Sequence, residues 1–231
     1  MTQGLHLGPS VALREKRLAA VLRGRSPDEP VLRAAVLDAQ LLGSLELAGF
    51  SFSWDEVRGA RSGVPATAAA LRRAQSAVPD GSFGVAALKV WHDAALGDRR
   101  WRENDAPFPP NVPAPAPAAF IEGRLAILEH WLGGESGREL EPAAAGALVL
   151  ARIVEIRPFA DGNGRVSRLA ASHVMVRGGM RPPILVGGDR PRLEACLRAA
   201  FGLETEPLAR LLREASDRSV DVLIQSLEGG L

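Results

Sequence analysis

Residues 157–168 read Arg-Pro-Phe-Ala-Asp-Gly-Asn-Gly-Arg-Val-Ser-Arg and stand between two helix-length apolar runs. Upstream, residues 143–156 carry only Arg152 and Glu155 as charges, and Pro142 suits a first helical turn. Downstream, a helix restarts near Gly164 and stops at Gly178-Gly179. The two helices are expected to meet at this short, glycine-rich turn. The start of the second then faces whatever the turn admits. A helix N-terminus leaves backbone N–H groups unpaired and carries partial positive charge. Gly162 and Gly164 let a phosphate approach that backbone, and Asn163 offers an amide. Arg165 and Arg168, three apart, share a helix face and add two planar forks. Asp161 supplies the carboxylate oxygen that Mg²⁺ prefers.

A calcium loop starting at Asp161 is excluded. Its fifth position would be Arg165, its sixth Val166 instead of glycine, and its twelfth Ser172 instead of glutamate. Composition removes other classes. Net charge is +1, which gives no electrostatic case for nucleic acid. No apolar run reaches the ~20 residues of a membrane span, and no signal peptide is evident. The single cysteine, Cys196, excludes an internal disulfide, so a cytoplasmic protein is expected.

The remaining chain reads as helical. Helices are expected over residues 30–47, 66–77, 85–96 and 121–132, with two or three more from Arg190 to Leu227. Pro79-Asp80-Gly81 marks a turn. Residues 107–117 hold six prolines and read as an extended surface loop. Trp91 and Trp131 lie within helical patterns and are expected as core anchors, and Cys196 as an inert core residue. His173 is expected to be structural, and His6 to lie in a mobile N-terminus.

The 157–168 stretch resembles the signature of the Fic (Fido) family, whose members transfer AMP from ATP to protein hydroxyls. The resemblance implies a mostly α fold: a Fic-like helical bundle with a short β-hairpin flap that aligns a protein target. It implies ATP and Mg²⁺ as cofactors and a nucleotide and a protein target as partners. Residues 64–231 are then the Fic-like domain and 1–63 an N-terminal helical extension. Arg99, Arg100, Trp101 and Arg102 resemble the first flap arm; the second would contain Pro107, Pro109 and Pro110, which donate no ladder bond. Ser44, Ala48 and Gly49 resemble the family's inhibitory segment, with Ala48 where its glutamate belongs.

Arg157 occupies the position of the family histidine. Attack by a hydroxyl needs a proton acceptor near neutral pH, and arginine has no acceptor lone pair. The expected function is therefore an AMP-transferase-like protein impaired or inactive in transfer. The alternatives are a nucleotide-binding pseudoenzyme or partner-binding module, and phosphate-group transfer of altered chemistry.

Overall fold

The computed structural model describes residues 9–27, 29–58, 65–77, 81, 83–105 and 114–229. Among them the regular elements are all helical: α1 (Pro9–Leu22), α2 (Pro30–Leu47), α3 (Trp54–Arg58), α4 (Ala66–Ser76), α5 (Val85–Leu96), α6 (Ile121–Gly133), α7 (Glu135–Arg138), α8 (Pro142–Ile156), α9 (Asn163–Arg177), α10 (Arg190–Phe201) and α11 (Glu206–Leu227). Short 3₁₀ turns precede α6 and α10. None of the described helices is long and apolar enough to cross a membrane. The turn expected at residues 79–81 falls largely, and His6 wholly, outside the described residues.

The centre of the molecule is α8. Its alanines favour the helix, and Pro142 pre-sets the φ of the first turn. One side of α8, through Ala147 and Leu150, meets Leu208, Leu211 and Leu212 of α11. Another side, through Val149, Ile153 and Ile156, meets Leu88 and Trp91 of α5, Leu125 of α6, and Val166 and Ala170 of α9. A helix buried on several sides must be apolar around its circumference, which its composition shows. Burial of each large side chain contributes roughly 1.5–3 kcal/mol. Gly146 lets α9 come close: a Cβ there would lie 2.7 Å from the Met175 side chain.

The N-terminal helices join this body. Leu32 and Val36 of α2 pack with Val220 and Leu223 of α11, and Leu41 and Leu45 pack with Leu71 and Ala74 of α4. Trp91 is fully buried, as its helical position implies. Trp131 is not a core anchor: it is 40% exposed. The inward stripe of α6 is Ile121, Leu125 and Leu128, and Trp131 lies off it.

Candidate phosphate-binding site at the turn between α8 and α9

Helix α8 ends at Arg157, whose backbone is left-handed at φ 49°, ψ 63°. For a residue with a Cβ this conformation costs about 1–2 kcal/mol. Residues 158–162 then cross to α9. Asn163 closes the crossing locally: its Oδ1 accepts from the Phe159 N–H at 2.9 Å and its Nδ2 donates to the Phe159 carbonyl at 2.8 Å. The Asn163 amide thus ties the loop rather than facing a ligand. Gly162, at φ 76°, adopts a backbone that L side chains avoid, and a Cβ there would sit 2.4 Å from Leu96 Cδ1. No side chain caps the first turn of α9, which leaves its amides for a ligand.

Two arginines lie over that turn. Arg168 folds back along its helix, so its Nη1 would be 3.1 Å from a Cβ on Gly164. Its Nε donates to Ser44 Oγ at 3.0 Å and its Nη2 to the Ser44 carbonyl at 2.9 Å. Both partners are neutral, and no carboxylate pairs with it among the described residues. By surface area Arg168 is partly buried, yet enough atoms surround it for desolvation to dominate. Burial, then the nearby Arg165 and Arg190 charges, push its pKa down to about 9. That value is still above neutral, so the guanidinium stays charged with its charge uncompensated. Arg165 bridges Asp161 at 2.9 Å and lies over the Phe50 ring at 5.9 Å. Asp161 is 81% exposed and presents its carboxylate to solvent. One carboxylate beside a phosphate site fits Mg²⁺, which takes one or two carboxylates together with substrate phosphates.

Residues 83–175 match the family model described as Fic/DOC family. This part of the chain is similar to the Fic/DOC family. Among curated relatives, the protein adenylyltransferase Fic of Drosophila mojavensis is 34% identical over 106 residues, covering 44% of this chain and 21% of the relative. That of Drosophila grimshawi is 31% identical over 112 residues, 48% of this chain and 23% of the relative. The chain thus spans about a fifth of the length of the curated relatives it matches. In fold it is similar to Fic-1 of C. elegans, with TM-score 0.73 at 20% identity, over 96% of this chain and 75% of that one. A Fic domain containing signaling protein from Bacteroides thetaiotaomicron gives 0.76 at 16%, over 96% and 98%. IbpAFic2 in complex with adenylylated Cdc42 gives 0.54 at 14%, over 92% and 72%.

The hairpin flap expected of a Fic fold is absent among the described residues. Residues 98–102 have no regular secondary structure and pair with no strand. Most of the expected second arm, with Pro107, Pro109 and Pro110, lies outside the described residues. Arg99 bridges Asp93 and Arg100 bridges Asp98 at the surface. Trp101 donates to Glu122 and tilts against Phe159. Arg102 faces inward instead of toward a target. Its N–H donates to the Pro158 carbonyl at 2.9 Å. Its guanidinium donates to the carbonyls of Arg157 at 2.7 Å, Asn104 at 2.8 Å, Ile156 at 3.3 Å, and Ala116. The Arg102 amide and side chain are thus spent on the end of α8 and the residues beside it rather than on a partner strand. Periodicity gave no sign of this, because the partners are mostly distant carbonyls.

Of the histidines, His92 is buried, stacked on Phe159 at 3.8 Å, with its ring nitrogens facing the Asp98 and Asp161 carbonyls at 2.6 and 3.1 Å. It joins the start of the flap segment to the signature turn, and neither nitrogen points at a substrate. His173 Nε2 faces the Gly81 carbonyl at 3.1 Å, its ring edge meets Trp91, and burial lowers its pKa. Burial also raises the Cys196 thiol pKa, consistent with an inert core residue.

The segment holding Ser44, Ala48 and Gly49 is the C-terminal end of α2 and its exit. Ser44 reaches Arg168, and Ala48 lies one turn on, its N–H bonded to the Ser44 carbonyl at 3.2 Å. Glu46 points elsewhere, accepting from the Gly187 N–H at 2.8 Å. Arg190, which sequence reasoning missed, donates to the Glu46 and Leu47 carbonyls, both at 3.0 Å, and so caps α2. The only sequence signal for it is a cation after Gly187-Gly188-Asp189.

Proposed function

We propose that this chain binds the phosphates of ATP at the turn between α8 and α9 and is impaired in transferring AMP to a protein hydroxyl. The observation that carries the binding half is Arg168: a charged, largely desolvated guanidinium with only Ser44 as partner, beside an uncapped helix N-terminus. A phosphate there would gain the amides around Gly162, Asn163 and Gly164, together with Arg168 and Arg165. Asp161 would hold Mg²⁺, which would neutralise charge on the phosphates. We read residues 64–231 as the unit that performs this and 1–63 as the extension that supplies Ser44.

The transfer half turns on Arg157. Attack on the α-phosphorus forms an O–P bond, expels pyrophosphate and releases the hydroxyl proton. Arg157, at the family histidine's position, has no lone pair to take it. Loss of a general base costs about 10²–10⁴ in rate. The relatives named protein adenylyltransferases and the IbpAFic2 complex with adenylylated Cdc42 support a protein hydroxyl as the ancestral acceptor. With Ala48 at the inhibitory position and Glu46 turned to Gly187, no carboxylate bridges Arg168 among the described residues, so binding needs no acid to be displaced. The test is calorimetric titration of ATP with and without Mg²⁺, beside transfer of labelled AMP. Binding without turnover is the expected result; no binding overturns the reading.

A further inference from the structure

A second concave site lies between α6 and α8. A trough of about 370 Å³ is lined by Arg124, Ile127, Leu128 and Trp131 of α6 and by Leu148, Arg152, Glu155 and Ile156 of α8. Its volume falls within the range of small-molecule pockets, about 300–1,000 Å³. The lining steps by three or four residues along each helix, so one face of α6 and one face of α8 form the two walls, with Ile127, Leu128, Trp131, Leu148 and Ile156 as the apolar part. Leu128 and Ile156 are buried in its floor, while Ile127 is 69% exposed and Trp131 forms the opposite end of the same helical face. Scattered apolar residues on a surface are ordinary; two large ones a turn apart over an apolar floor are a patch.

The charges at the trough select its occupant. Arg152 bridges Glu155 within α8, so those two cancel. Arg124 is exposed and has no ion-pair partner among the described residues. The net character is therefore an apolar floor with one cation at its edge. We propose that this trough is a binding site for a small amphipathic carboxylate, its hydrocarbon body on Leu128, Leu148 and Ile156 and its carboxylate on Arg124. This assignment is independent of the nucleotide reading, since Arg168 and Asp161 take no part in it.

The probe is decanoate, titrated into the full chain below its micelle concentration and followed by calorimetry. One saturable site per chain is expected, with affinity rising from octanoate to dodecanoate. Arg124→Ala and Ile127→Glu should each weaken it by about tenfold or more. Both positions are exposed, so folding is retained and checked by the unfolding midpoint. Arg33→Ala, an exposed arginine on α2, should leave binding unchanged. Decanol should bind more weakly than decanoate. The assignment is overturned if decanoate shows no saturable binding, if Ile127→Glu has no effect, or if decanol binds as well as decanoate. It is also overturned if sedimentation shows a dimer that Ile127→Glu dissociates while decanoate leaves it intact, for a second copy then fills the trough.

Discussion

Arg102 and Arg168 both carry a guanidinium inward, and they are provisioned differently. Arg102 donates through all three of its nitrogens to four backbone carbonyls, with Asp105 3.8 Å away. Arg168 uses two nitrogens on one serine and turns the third toward Gly164. The first is a finished junction, pinning the flap segment to the end of α8. The second is a junction with a donor and most of a charge to spare. A buried cation satisfied by carbonyls holds a fold together, whereas one left short of anions is a place for a ligand.

The contrast can be broken by paired substitutions. Arg102→Ala strands buried carbonyls and is expected to cost about 3–5 kcal/mol in urea unfolding. Arg168→Ala relieves an uncompensated charge and should change stability by less than half of that. Equal losses would erase the distinction. Adding ATP and Mg²⁺ should raise the unfolding midpoint of the parent but not of Arg168→Ala.

Arg157→His tests whether the turn beside Arg102 lacks only a base. Labelled AMP transfer, to the protein itself or to a partner, should rise by about 10²–10⁴ over the parent. No gain with nucleotide binding intact would place the defect in the unpaired flap segment. Transfer already present in the parent and lost in Arg157→Ala would overturn the impaired reading, with Arg157 then stabilising transition-state charge.

Gly164→Ala sharpens the Arg168 side. Alanine is the better helix former, so stability should rise by about 0.4–1 kcal/mol. Its Cβ would crowd Arg168 Nη1 at 3.1 Å, so ATP affinity should fall by a few fold. Stability and binding moving in the same direction would contradict the placement of the guanidinium over that turn.

The smallest expected effect is a pH dependence from His173, a buried side chain on the same helix as Arg168. Burial holds its folded pKa below the ordinary value of about 6.5. Above that value both folded and unfolded chains carry it neutral, and the stability is fully present. As pH falls below it the unfolded chain takes up the proton first, so stability declines until the folded pKa is reached. The decline between pH 7.5 and 5.5 should shrink in His173→Gln. An unchanged slope would assign it to other groups.

Much of this was legible in the chain itself. The helices at residues 30–47 and 85–96 have the ends that their prolines, glycines and apolar spacing imply. The signature turn follows from its glycines, although the Asn163 amide, expected on a phosphate, instead bonds the Phe159 backbone four residues back. Such features depend on φ preferences and on partners within about one turn, so local sequence determines them. Tertiary structure alone decided that Arg102 points inward, that Ser44 meets Arg168 across 124 residues, that Glu46 turns to Gly187, and that Trp131 borders a trough. Each outcome is set by which distant backbone group or helix face lies opposite. No residue's own propensities encode that, because packing fixes it only when α2, α6, α8 and α9 come together.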